Sequence, residues 1–252
     1  AGRVRHRVDG RVSSPWRSVT RGVPGRWSVW RYNWLIHHQV IAALLRARPH
    51  AQGVLLDVGC GDKPFARWFD GHVTRYLGSD LTSSPYLGGG RPEVFARGER
   101  LPFRDGSVDT VLGLSMLDHF PEPGPLLAEA HRVLRPGGIL ILEFTQMVPL
   151  HDEPHDYLRY TRFGAAWHLE HAGFEPLEFI PFGGLPARVG LTMIAALNRL
   201  NRGPTRLITE LPVRALYVVL QLVFAALDWL LFDPREVIAH LAIARRRAPT
   251  AP

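Results

Sequence analysis

The stretch VLLDVGCGDKPF at residues 54–65 constrains this chain more than any other. An apolar run of strand length breaks there into Gly59, Cys60 and Gly61, followed by an acid, a base and a proline. A short continuous apolar run ended by glycine fits a strand buried on both faces, and such strands build parallel sheets sandwiched between helices. Glycine has no Cβ, so a ligand can come close to the backbone where that strand ends.

The segments that follow alternate in the same sense. GVLLDVG reads as a first strand, PFARWFDGH as a short helix, TRYLGSD as a second strand, EVFARGE as a third and SVDTVLGL as a fourth. PGPLLAEAHRVLRPGG reads as a helix with a glycine stop, and ILILEFT as a fifth strand. Thr161 is the expected N-cap of a helix over TRFGAAWHLEHAGF, EPLEFIPF a sixth strand, and EVIAHLAIARRR carries a last one. Ahead of the sheet, Trp34, Leu35, Val40, Ile41, Leu44 and Leu45 recur at helical spacing until Pro49. The expected fold class is α/β, a doubly wound, mostly parallel seven-stranded sheet with a helical insertion before the last strand.

At 252 residues and 46% hydrophobic, the chain has room for one such domain and an insertion. Residues 1–26 read as a flexible basic arm, 27–182 as the core with an N-terminal helical cap, 183–235 as an apolar helical insertion, and 236–252 as the last strand with a basic tail. The formal charge of +7 is nearly all arginine, since Lys63 is the only lysine, and much of it lies at the two ends. Such ends fit a solvated tail, or one touching acidic lipid or nucleic acid. With Cys60 as the only cysteine no disulfide forms within the chain, and no export signal is expected before Trp27, so the expected address is cytoplasmic.

The glycine loop admits two nucleotide-type ligands. A dinucleotide needs a third glycine and a bare helix N-terminus for its pyrophosphate. Here Pro64 has no N–H to donate and Asp62 would stand beside the phosphates. S-adenosylmethionine carries no phosphate and ends in an ammonium and a sulfonium, so acids near the loop favour it. Asp80, ending the second strand, suits the ribose hydroxyls of either ligand.

Two segments, LLDVGCGDKPF and ERLPFRDGSVDTVLGLSMLDHFPEPGPLLAEAHRVLRPGGILIL, resemble class I S-adenosylmethionine-dependent methyltransferases with a type 11-like, Rossmann-like domain. The resemblance rests on Leu101-Pro102-Phe103, Asp109, Leu117 with His119, and Arg132-Val133-Leu134 leading into Pro136-Gly137-Gly138. It implies a cofactor site at Asp57, Gly59, Gly61, Asp80, Leu81, Glu99 and Leu114, with the glycines under the methionine moiety, Asp80 on the ribose and Leu81 against adenine. An adenine-reading acid often precedes LPF in that family. Arg97 stands there, and Glu99 takes the expected role.

HDEPHDYLRYTRFG resembles a subgroup with a His, Pro, Asp-Tyr, Arg-Tyr-Thr loop, here His151, Pro154, Asp156, Tyr157, Arg159, Tyr160 and Thr161. That loop follows the fifth strand, on the carboxyl edge where open α/β sheets bind ligands. Methyl transfer is an in-line displacement needing alignment and dryness, and an oxygen acceptor also needs a base near neutrality. His151, oriented by Asp156, is the first candidate for that base, with His119 and His155 behind it. Tyr157, Arg159 and Tyr160 are the candidate acceptor contacts, and no metal is expected.

RALYVVLQLVFAALDWLLF, residues 214–232, is nearly long enough to cross a bilayer, but Gln221 and Asp228 interrupt it. A single crossing would also strand the last β-segment on the wrong side. The insertion is read as a lid, a packing surface or a peripheral membrane contact, and the resembled subgroup often carries one. The expected function is O-methylation of a small-molecule, glycan or lipid-linked acceptor, with nucleic acid disfavoured. A pyridine-dinucleotide oxidoreductase and a non-catalytic adenosyl-binding module are the alternatives.

Overall fold

The computed structural model describes residues 28–88, 90–201 and 206–248; the basic arm at 1–26 therefore lies outside the described residues. Seven strands form one sheet, β1 Val54–Val58, β2 Arg75–Asp80, β3 Val94–Phe95, β4 Val108–Gly113, β5 Leu134–Thr145, β6 Phe174–Phe182 and β7 Ala239–Arg246. Their order is β3-β2-β1-β4-β5-β7-β6. The pairs from β3 to β5 are parallel, and β7 runs antiparallel between β5 and β6. The helices are α1 Trp34–Ala47, α2 Gly124–Val133, α3 Arg162–His171, α4 Leu185–Leu200 and α5 Arg206–Leu231.

The near-continuous apolar strands arise because both faces of the sheet are buried and successive side chains point to opposite faces. In β5, Leu140, Leu142 and Phe144 join the core shared with α2 and α3, while Ile139 and Ile141 join the core under α1. β7 divides likewise, with Ala242 and Ala244 on the first side and Leu241 and Ile243 on the second. Thr161 caps α3, accepting from Gly164 N at 3.2 Å. Asp109 closes the amino edge, where its carboxylate accepts from Val54 N at 2.6 Å and pairs with Arg135 at 2.7 Å. Gly53 is left-handed there, with φ 55°, and a Cβ on it would meet Asp109 Oδ2 at 2.0 Å.

Two local expectations are corrected. PFARWFDGH forms a single 3-10 turn, Ala66–Phe69, because Pro64 and Gly71 leave no length for an α-helix. α2 ends at Val133 rather than at the glycines, and β5 starts at Leu134, with an irregular register against β4 between Val108 and Thr110. Gly137, at φ 76°, therefore sits in the strand entry and not in a helix cap. The insertion is two antiparallel-packed helices, α4 and α5, between β6 and β7.

Candidate active site

The carboxyl ends of β1, β2, β4 and β5 face one edge of the sheet, and each delivers part of the site. After β1, Gly59 N and Cys60 N both donate to Ser79 O, at 2.8 and 3.1 Å, extending the β1–β2 pairing into the turn. Gly59 and Gly61 then take left-handed φ values of 73° and 54°, which a residue with a Cβ adopts at a cost. Gly61 N donates to Asp80 Oδ2 at 2.5 Å and Leu81 N to Asp80 Oδ1 at 2.6 Å, so the glycine turn is locked onto the end of β2. A Cβ on Gly61 would press on Tyr86 at 3.2 Å, because the segment after β2 folds back over the turn.

Asp57, on β1 beneath the turn, is buried and accepts from Tyr76 Oη at 2.5 Å. Burial pushes its carboxyl up to about 7 despite that hydrogen bond, with the Asp80 charge adding to the rise. Lys63, the only lysine, is spent on Glu93, its Nζ 2.5 Å from Oε1. Around the turn the balance is thus acidic, with Asp57, Asp62 and Asp80 close by and the one ammonium neutralised. The group that the fold implies is tested by this donor set. Carboxylates and left-handed glycine backbone fit a ribose and a cationic methionine end, and they oppose a pyrophosphate.

Leu81 is 44% exposed beside Asp80, free to lie against a planar ring, whereas Leu114 is buried with the α1 core. Glu99 is tied to Arg97 at 3.0 Å. Cys60 is buried and burial pushes its thiol up, in keeping with a packing role.

The second half of the site lies between the 3-10 turn after β4, Leu117–His119, and the segment after β5. Tyr157 N donates to Asp118 O at 2.9 Å and Tyr160 N to Thr145 O at 2.7 Å, pinning that segment to the sheet edge. Four side chains that the sequence spreads over 118–159 meet here. His151 stands between two carboxylates, Nε2 3.2 Å from Asp118 Oδ2 and Nδ1 3.3 Å from Asp156 Oδ2. Asp156 also accepts from His151 N at 3.0 Å and takes a two-pronged contact from Arg159, 2.5 Å at Nη1 and 2.7 Å at Nη2.

These contacts fix the charges. Arg159 holds Asp156 down at about 2, against the pull of burial. Burial alone would push Asp118 up and His151 down. The contact between them and the neighbouring charges outweigh it, so Asp118 ends below and His151 above its usual range. His151 thus lies between acids that favour its protonated form, with both ring nitrogens engaged. Neither oxygen of Asp118 meets strict hydrogen-bond geometry, so charge rather than a well-aligned bond holds this buried group.

His119 differs. Its Nδ1 lies 2.7 Å from His155 O, which can only accept, so Nδ1 donates there and the tautomer this contact selects has its lone pair on Nε2. That nitrogen is 4.0 Å from Asp152 Oδ2, beyond hydrogen-bond length. The His119 and His151 rings meet edge to face at 5.1 Å. Asp152 accepts from Tyr86 Oη, joining the segment after β2 to the segment after β5 across the mouth of the site. His155 Nδ1 pairs with Tyr157 Oη at 3.1 Å, and Tyr157 is 47% exposed. Tyr160 instead is buried, edge-on to Phe144 at 5.2 Å. The ligand atoms of Asp118, His119, His151 and Asp156 lie within 4.8 Å of one another, a group able to hold a metal by composition, yet Arg159 already brings a positive charge to Asp156.

Two residues escape the sequence reading, Asp118 and Glu143. Glu143, buried in β5, accepts from Ser115 N and Oγ, both at 3.0 Å, and burial pushes it up to about 7. A lone acid inside the apolar run ILILEFT was the available signal for it; for Asp118 it was adjacency to His119 in LDHF.

Strand order, glycine turn and acidic β2 terminus together define a class I methyltransferase fold. Residues 56–142 match the family described as a methyltransferase domain. It is 38% identical over 96 residues to an uncharacterized methyltransferase of Mycobacterium sp. (strain JLS), covering 36% of this chain and 38% of that protein. It is 36% identical over 106 residues to one from Mycobacterium tuberculosis (strain ATCC 25618 / H37Rv), covering 39% and 42%. The chain thus spans less than half the length of these relatives. Among solved structures it resembles 1,6-didemethyltoxoflavin-N1-methyltransferase of Burkholderia thailandensis, which holds 1,6-didemethyltoxoflavin and S-adenosylhomocysteine. The TM-score is 0.52 at 17% identity, over 88% of this chain and 79% of that one. Phosphoethanolamine N-methyltransferase 2 of Haemonchus contortus gives 0.53 at 16%, over 87% and 56%. The [4+2]-cyclase SpnF gives 0.55 at 19%, over 83% and 81%, which shows the fold and not the chemistry.

Proposed function

We propose that this protein transfers a methyl group from S-adenosylmethionine to a hydroxyl of a small-molecule, glycan or lipid-linked acceptor. The observation that carries the cofactor is the lock between Gly61 N and Asp80 Oδ2, which sets a carboxylate against a glycine turn whose neighbouring lysine, Lys63, is paired with Glu93. When bound, the cofactor supplies an activated methyl on a sulfonium that leaves readily.

The chain supplies position and a proton acceptor. Asp80, with lone pairs left after its two backbone bonds, receives the ribose hydroxyls, and Leu81 offers an apolar surface to the adenine. The Asp118, His151, Asp156 and Arg159 network clamps the segment after β5 in place. With both of its nitrogens on carboxylates, His151 fits this positioning role better than the base role that the sequence ranks first for it. His119 suits the base, since the His155 carbonyl fixes the tautomer that leaves Nε2 free to take a hydroxyl proton. Tyr157 and the tyrosine bridge Tyr86–Asp152 border the space where the acceptor would enter.

Calorimetric titration tests the reading without knowledge of the acceptor. S-adenosylmethionine and S-adenosylhomocysteine are expected to bind, and Asp80→Ala to weaken them by roughly ten- to a hundred-fold through loss of charge-assisted bonds. Saturation by NADH with no heat from either adenosyl compound would point to the oxidoreductase alternative instead.

A further inference from the structure

Helix α5 is amphipathic in the reverse sense for a helix resting on a soluble domain. The face it turns to the protein carries its polar residues. Tyr217, Gln221 and Asp228 are buried and, at about 100° per residue, fall within one narrow stripe. Gln221 accepts from Leu35 N at 3.0 Å and donates to Val29 O at 2.7 Å. Asp228 accepts from Gln39 Nε2 at 2.9 Å and from Ala187 N at 3.2 Å. The opposite stripe is apolar and open, with Val219 56%, Leu222 52%, Val223 47%, Trp229 82% and Leu230 65% exposed. No Asp, Glu, Lys, Arg or His interrupts the sequence between Arg214 and Asp228. Water would ordinarily be met by the polar stripe and the core by the apolar one.

Something apolar therefore faces α5, and three observations select its kind. Thr209–Leu231 is long and apolar enough to cross a membrane, yet Gln221 and Asp228 tie it along its length to α1 and α4, and β7 returns at once to the sheet. It can thus lie along a bilayer but not pass through it. Next, the chain enters beside α5 at Val29, held by Gln221, and the residues before it in sequence, 1–26, carry seven arginines and one aspartate. That is the charge that anionic headgroups attract, and one that a second copy, also at +7, would repel. Last, α4 leaves after Phe182 and α5 returns to Ala239, two residues paired with each other at the end of the sheet where Thr145 lies. The apolar stripe and the segment after β5 thus share the carboxyl edge.

We infer that α5 docks this protein on an anionic bilayer, its Val219, Leu222, Val223, Trp229 and Leu230 stripe sunk at the boundary of headgroups and acyl chains. The site at the carboxyl edge is then held at the membrane surface. On the methyl-transfer reading, on which this clause alone rests, the acceptor is presented there, as a lipid-linked hydroxyl would be.

Flotation of the full chain, without cofactor, on vesicles of phosphatidylcholine and phosphatidylglycerol tests the docking. The protein is expected to float with these and much less with phosphatidylcholine alone. Leu222→Glu with Val223→Glu should cut binding by at least about ten-fold while leaving far-ultraviolet dichroism and S-adenosylhomocysteine titration unchanged. Should that variant misfold, brominated phosphatidylcholine in the anionic vesicles is expected to quench the wild type more than Trp229→Phe. Wild type left in the dense fraction, a charged variant that floats equally well, or quenching that does not depend on Trp229 would overturn the proposal. So would a dimer, dissociated by the Glu substitutions, that ignores vesicles. A protein that floats but gives no heat with S-adenosylhomocysteine would spare the docking and sink the methyl-transfer reading.

Discussion

Two histidines whose rings lie 5.1 Å apart differ in what their ring nitrogens touch. His151 meets carboxylates on both sides, while His119 meets a carbonyl on one side. With an acceptor identified by labelled methyl transfer in a cell extract, His119→Ala should lower kcat by about 10²- to 10⁴-fold with cofactor affinity unchanged. Equal turnover in the variant would remove His119 from the chemistry. Glu143 gives a prediction that needs no acceptor. A carboxyl whose folded pKa is raised from 4.5 to about 7 costs nothing below 4.5, costs progressively more through that window, and bears the whole cost above it. Glu143→Gln keeps an oxygen for Ser115 and removes the charge, so it should stabilise the fold above pH 7, by at most roughly 3 kcal/mol, and change nothing near pH 4. Thermal unfolding at the two pH values checks this, and equal shifts at both would mean burial is not the cause. The sequence offered both histidines as candidate bases but not the contacts that distinguish them. HDEPHDYLRYT places His151 beside Asp152 and Asp156, but its other partner, Asp118, lies 33 positions upstream, and only the fold brings the two together.

At the scale of elements the sequence was more informative, because strands buried on both faces and capped helices leave local signatures. Thr161 announces α3 through its own hydroxyl, and Thr161→Ala should cost about 1 kcal/mol, read as a lower denaturant midpoint at constant slope. The end of α2 was misplaced because Pro136-Gly137-Gly138 looks like a helix stop. β5 begins two residues before that proline, since pairing of Leu134 with Val108 buries an apolar side chain and outweighs the local turn preference. α5 was legible as an apolar helix but not in its orientation. Gln221 and Asp228 read as interruptions of a hydrophobic stretch, whereas they are the bonds that hold the helix to α1 and α4. A polar residue in an apolar helix has two opposite readings, and only its partner decides between them.

For the whole molecule, the insertion is an addition to the sheet rather than a part of it. Phe182 and Ala239 are already paired, and Ile238 N donates to Gly183 O at 2.6 Å, so β6 and β7 approach each other as a hairpin would. The proposed adenosyl site lies on the far side of β4 and β5 from that junction, at β1 and β2. The insertion's structural debt is to α1, whose Leu35 N and Gln39 it satisfies and whose outer face it covers. Replacing residues 185–236 by a short glycine turn should therefore leave S-adenosylhomocysteine affinity within a few-fold of the full chain. The same change should lower the unfolding temperature, because α1 loses buried contacts and leaves Leu35 N to find water. Calorimetry on the monomeric fraction distinguishes the outcomes. Affinity lost with the sheet's dichroism intact would mean that α4 and α5 shape the cofactor crevice as well as the surface beside it.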